Sequence, residues 1–160
     1  TDTYFTGQRE FYFNGESVTV IHQPAAHTDG DSIVYFRKSD VIATGDLFSI
    51  DTYPFIDSER GGSLQGIIDA LGHVMDLAIP KHHQEGGTMI VPGHGRICDE
   101  HEVLEYRDMI VIIRDRVKSM IAKGMTLNQI KAAKPTLDYD ARYGMPDRFL
   151  EAVYRNLSAK

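Results

Sequence analysis

Three times in this sequence an apolar, β-prone run gives way to a histidine or an aspartate set beside glycine. The segments are Ala26-His27-Thr28-Asp29-Gly30-Asp31, Thr44-Gly45-Asp46-Leu47-Phe48 and Val91-Pro92-Gly93-His94-Gly95. Glycine lets the backbone turn sharply and bring a neighbouring side chain inward. In α/β sheets, ligands gather at the carboxyl ends of strands. Imidazole and carboxylate together suit zinc or another first-row metal. Taken singly, each segment is unspecific, because a His before Thr is common and Gly-Asp is a routine turn pair. Taken together, in this order and each at a strand end, they favour a metal site.

The runs between them predict an α/β domain. Arg9 to Phe13 and Ser17 to His22 read as strands joined at Asn14-Gly15, the strongest short hairpin signal. Ser32 to Arg37 reads as a third strand. Asp40 to Thr44 reads as a fourth, ending at Gly45-Asp46. Residues 47–62 read as a long loop, first aromatic (Phe48, Tyr53, Phe55) and then glycine-rich (Gly61, Gly62). Ser63 is placed to cap a helix to about Ala78, whose apolar residues recur at helical spacing and which Pro80 stops. Thr88 to Val91 reads as a buried strand. The last third is helical. It has a stripe from Val103 to Ile121, a terminator at Gly124, a short helix capped by Thr126, and a last helix from about Pro146. Strands that alternate with helices indicate one α/β domain over 1–160.

Composition excludes several classes. The chain has 160 residues, of which 42% are hydrophobic, so it can bury a core. A net charge of −6 disfavours nucleic-acid binding through a basic surface. No apolar run approaches membrane-spanning length. The single cysteine, Cys98, rules out an intrachain disulfide and a multi-cysteine zinc site, and reads as a free thiol near a loop.

The three segments resemble the later motifs of the metallo-β-lactamase superfamily: a His in a His-Thr-x-Gly turn, an Asp in a Gly-Asp-x-x turn and a His in a Gly-His-Gly turn. His27, Asp46 and His94 fall on those positions. The resemblance runs from about Phe11 to the C-terminus. It implies the C-terminal half of an αββα sandwich with a helical C-terminal third and the metals at one edge. It also implies a centre of two zinc ions, with His27 on the first, Asp46 bridging both as the catalytic residue, and His94 on the second. A hydroxide between the metals would attack an ester, thioester, amide or phosphoester of a small-molecule substrate. Asp at position 46, where some β-lactamases of the family carry Cys, weighs against an antibiotic-resistance role. Relatives of this type often carry an export signal, so the expected compartment is periplasmic or secreted.

The family's first motif, His-x-His-x-Asp-His, does not occur in this sequence, and His22 is the sole histidine before His27. His82-His83 is an adjacent pair in a polar loop and does not substitute by pattern. The chain is therefore expected to be a single incomplete domain, inactive alone, that forms an oligomer or pairs with a complementing chain, because a half sandwich exposes an apolar sheet face and an unpaired edge. Two alternatives stay open. One is a non-enzymatic, metal-free fragment that associates through its open sheet. The other is a single-ion site made by His27, Asp46 and His94 alone.

Asp29 and Asp31 flank His27 and are candidates to hold its ring through the second nitrogen, since a ligating histidine usually donates its other N–H. They serve equally well as turn residues. Phe48 and Tyr53 are candidates for a substrate-pocket wall, or are loop anchors in the core. His22 reads as a satisfied histidine, His73 as a helix surface or packing residue, His82, His83 and His101 as solvated, and Arg96 as a surface cation.

Overall fold

The structure is a computed structural model that describes residues 6–81, 83 and 86–158. The first strands are β1 (Gln8–Phe13), β2 (Glu16–Gln23), β3 (Asp31–Phe36) and β4 (Val41–Ser49). Helix α1 (Leu64–Leu77) crosses to β5 (Met89–His94). The rest is helical: α2 (Glu100–Ala122), α3 (Leu127–Ala133), α4 (Asp140–Tyr143) and α5 (Asp147–Ser158). The five strands form one sheet in the order β1-β2-β3-β4-β5. The first four run antiparallel in sequence, and β5 pairs with β4 in parallel. The α/β class expected from the alternation of elements is the class observed.

Strand direction follows from this order. β2, β4 and β5 all point the same way, so their carboxyl ends lie along one edge of the sheet. That edge carries all three glycine-flanked segments.

Local signals account for most boundaries. Asn14 and Gly15 have φ of 49° and 81°, the two positive values that a tight hairpin with the right-handed strand twist requires. The Ser63 side chain accepts from the Gly66 amide and caps α1. Asp99 and Glu102 form a reciprocal capping box at the start of α2. Gly124, with φ of 79°, ends the turn after α2.

Two strand ends depart from the sequence reading: β5 runs past Val91 to His94, and β4 is also longer. β4 does not stop at Gly45-Asp46 but continues to Ser49. The pairing with β5 shifts register on either side of Gly45, whose φ is 56°. This bulge breaks the side-chain alternation, so Leu47 and Phe48 are both buried. The loop begins after them and holds a short 3₁₀ turn at Ser58–Arg60.

Alternation along the strands sorts the sheet into two faces. Ile21, Ile33, Ile42 and Ile90 lie on one face. They join the core made with Ile67, Leu71 and Val74 of α1, Tyr106, Ile110 and Ile113 of α2, and Phe149 and Val153 of α5. The opposite face carries a row aligned across all five strands, Phe11-Val18-Phe36-Val41-Met89. None of these five belongs to the helix-covered core, and Phe11 and Met89 are exposed. Among the described residues, no helix is long and apolar enough to cross a membrane.

Candidate metal centre

Asp46 sits on the β4 bulge and His94 is the last residue of the neighbouring parallel strand. The bulge turns the Asp46 carboxylate out of the core, and the His94 imidazole meets it, with Nε2 3.2 Å from Oδ1. Both side chains are open to solvent, His94 at 73% and Asp46 at 50% relative exposure, so a ligand has access to both. Two backbone features fix the pair. The Ile50 amide donates to the His94 carbonyl at 3.3 Å. Gly93 lies against the bulge, where a Cβ would fall 2.5 Å from Asp46 Oδ1 and 2.6 Å from the Gly45 carbonyl oxygen. Only glycine fits there.

His27 lies in the β2–β3 connection, on the same edge of the sheet. Its Nδ1 is 3.5 Å from Asp31 Oδ1, and the other Asp31 oxygen accepts from the Thr28 amide at 2.7 Å. Asp31 is thus pinned by the turn and faces the ring. Asp29 acts through its backbone instead: its amide donates to the Arg60 carbonyl, and its own carbonyl meets His22 Nε2. His22 is therefore satisfied, as its position on the strand suggested.

The loop after β4 returns over His27. The Asp57 amide donates to the His27 carbonyl at 2.9 Å, and Gly62 lies where a Cβ would fall 2.1 Å from that oxygen. The Phe55 ring, largely exposed, tilts against His27 with centroids 5.6 Å apart. No local pattern in the sequence marks Asp57 as a neighbour of His27, since its partner lies across a loop.

The aromatics expected on a pocket wall divide. Phe48 is a correction: it is fully buried and packs edge-on against Tyr106 at 5.0 Å, because the bulge places it in the core. Tyr53 stacks on Phe149 at 5.3 Å, and its hydroxyl lies 2.8 Å from Asp140 Oδ1. Burial, then the Asp140 carboxylate, pushes the Tyr53 hydroxyl well above its ordinary range. One edge of this ring still lines an open cleft.

The remaining polar residues have structural partners. Burial pushes the Cys98 thiol up to about 12, which leaves it inert. Arg96 pairs with Glu102. Burial alone would raise the Glu102 carboxyl; hydrogen bonds from the Asp99 amide and Arg96 outweigh it and hold the group down at about 2. His73 meets Gln23 and His101 meets Glu105. His82 lies outside the described residues.

An imidazole and a carboxylate that meet on adjoining strands are the donor chemistry of a first-row metal site. They are two donors, whereas zinc takes at least three protein ligands. Among the described residues no group of three or more His, Cys, Asp or Glu is gathered closely enough to hold an ion. A single-ion site built from His27, Asp46 and His94 alone is therefore not formed. The set fits a metal in kind and edge, and is short in number.

No protein-family model and no curated protein matches the sequence. Solved structures do match. The stereoselective inverting sec-alkylsulfatase Pisa1 from Pseudomonas sp. superposes on 95% of this chain with a TM-score of 0.72 at 16% identity, and the match covers 26% of that chain. The BLEG-1 B3 metallo-β-lactamase superposes on 68% with a TM-score of 0.52 at 18% identity, covering 48% of that chain. A metallo-β-lactamase from Pontibacter korlensis superposes on 66% with a TM-score of 0.50 at 16% identity, covering 46%. The chain thus spans about a quarter of the alkylsulfatase and just under half of each β-lactamase. At such identities the likeness is one of fold alone: this chain has the fold of part of the metallo-β-lactamases and the alkylsulfatase it matches.

Proposed function

We propose that this chain is the part of a zinc-dependent hydrolase that supplies Asp46, His94 and His27 to the metal centre, with the other ligands and the second sheet coming from another segment or another copy. The reaction is hydrolysis of an ester, thioester, amide or phosphoester in a small molecule. The observation that carries this reading is the meeting of His94 Nε2 and Asp46 Oδ1 at 3.2 Å on parallel neighbours in the sheet. A fold shared with structures described as metallo-β-lactamases and an alkylsulfatase supports it.

When bound, zinc supplies Lewis acidity and lowers the pKa of water to about 7. The chain's own groups do the holding. Asp46 and His94 present their lone pairs to solvent from a rigid strand pair. Asp31 faces Nδ1 of His27, which leaves Nε2 as the nitrogen for a ligand.

A second reading has its own observation. The apolar row Phe11-Val18-Phe36-Val41-Met89 favours association through the sheet without any metal. Native mass spectrometry with zinc added separates the two. An assembly that holds zinc, and loses it in His94→Ala, supports the hydrolase reading. An assembly with no zinc supports the second, and a zinc-free chain of any size removes metal chemistry from this chain by itself.

A further inference from the structure

We infer that Asn156, near the end of the last helix, is a positioning residue for His27 and acts through the strap of residues 57–64. The inference rests on the hydrolase reading only in taking His27 as a metal ligand. The coupling itself stands on hydrogen bonds.

The strap grips the His27 turn on both sides. The Asp57 amide donates to the His27 carbonyl at 2.9 Å, and the Asp29 amide donates to the Arg60 carbonyl at 2.8 Å. Before the turn, the Ser63 amide and hydroxyl both donate to the Ala25 carbonyl at 3.0 Å. The fit is backbone against backbone. A Cβ at Gly66 would fall 1.8 Å from the Ala25 carbonyl oxygen, and one at Gly62 would crowd that of His27. A shift of the strap therefore carries the His27 backbone with it.

No apolar packing holds the middle of the strap, because its 3₁₀ turn, Ser58–Arg60, buries no side chain. An open hollow of about 350 Å³ lies there, lined by Ser58 and Glu59 of the turn and by Arg148 and Glu151 of α5. Asn156 joins the two sides. Its Oδ1 accepts from the Leu64 amide at 2.9 Å, and its Nδ2 donates to Ser58 Oγ at 3.3 Å, so one side chain ties both ends of the strap. Leu64 is the first residue of α1, and its amide has no partner within the helix. That donor fixes which atom of the Asn156 amide is oxygen. Asparagine is a poor helix former because its side chain competes for backbone groups. Here the backbone group it satisfies belongs to another helix. The docking of α5 has its own support, since Phe149, Leu150 and Val153 are buried in the core.

The test follows backbone amide exchange and the His27 ring signals by heteronuclear NMR on the full, zinc-free chain. Asn156 bonds to Leu64, Ser58 and Ala152. Asn156→Ala is nevertheless expected to speed exchange about tenfold at Asp57 and Asp29, and to shift the His27 ring signals. Ile42 on β4 and Val153 on α5 are expected to keep their protection. Asn156→Asp is expected to restore the parent pattern, because a carboxylate accepts from the Leu64 amide and from the Ser58 hydroxyl alike. Ser58→Ala, on the exposed turn, removes one arm without touching the core and is expected to give a smaller change of the same kind. It carries the test if Asn156→Ala does not fold. Faster exchange confined to Leu64 would make Asn156 a helix cap and nothing more. Equally faster exchange at Ile42 would make the effect one of global stability. Either result overturns the inference, as does an unmoved His27 ring or an aspartate variant that behaves like alanine. The expected pattern in a chain that takes up no zinc in any assembly leaves Asn156 positioning His27 and removes the hydrolase reading alone.

Discussion

On one face of the sheet, Ile21, Ile33, Ile42 and Ile90 are sealed against the helices of the same chain. On the other, Phe11, Val18, Phe36, Val41 and Met89 form an equally apolar row outside that helix-packed core, with Val18 buried and Phe11 and Met89 exposed. The same strands make both faces, so intrinsic strand preference does not distinguish them. What differs is a partner. The helices of the chain cover one face, and the residues of this row on the other do not join their core. The metal-ligand candidates stand on the edge where the two faces meet. The sealed face fixes their geometry.

Four substitutions break or sharpen this contrast. Ile42→Ala on the sealed face removes a fully buried side chain and should cost about 2–5 kcal/mol by urea unfolding. A cost below 1 kcal/mol would mean the face is not packed as described. Gly93→Ala puts a methyl group against Asp46 and the Gly45 backbone. It should cost about 1–3 kcal/mol and weaken zinc uptake by whatever assembly binds it. Unchanged stability and uptake would show that the bulge yields.

Phe13→Ser, on the exposed face at 64% exposure, should change stability by no more than about 0.5 kcal/mol, yet shift any assembly toward smaller species in analytical ultracentrifugation. An assembly that ignores the change does not use that face. The smallest effect concerns pH. Because the Glu102 carboxyl is held below its ordinary 4.5, down at about 2, its contribution is present above pH 4.5 and is lost as pH falls toward 2. Glu102→Gln should therefore flatten that part of the acid unfolding curve. An identical acid limb in the variant would show that the Arg96–Glu102 pair is neutral to stability.

Much of this was legible in the sequence, for local reasons. Asn14-Gly15, Ser63 and Gly124 act within a few residues of themselves, and each stands where its chemistry placed it. The helical stripes were legible because periodicity reports burial directly. The Gly45 bulge was not, because a bulge is a property of two strands in register and the sequence displays one at a time. That single shift carried Phe48 from an expected pocket wall into the core and moved Asp46 from a strand end to a strand interior. Asp31 was foreseeable at His27 because it lies four residues away in the same turn. Asp57 and Phe55 reach His27 across a loop whose path the core dictates.

The parallel pairing of β4 with β5 has a consequence for the order of events in folding. The β1–β2 hairpin closes over two residues and belongs to the microsecond steps of chain collapse. Asp46 and His94 are brought together only after the chain between them has folded back and α1 has docked. Contacts of such sequence separation form late, because their loop entropy is lost before the contact returns anything. During synthesis, the Asp46–His94 pair cannot form until β5 has emerged and settled beside β4. The site is the last thing this sheet makes.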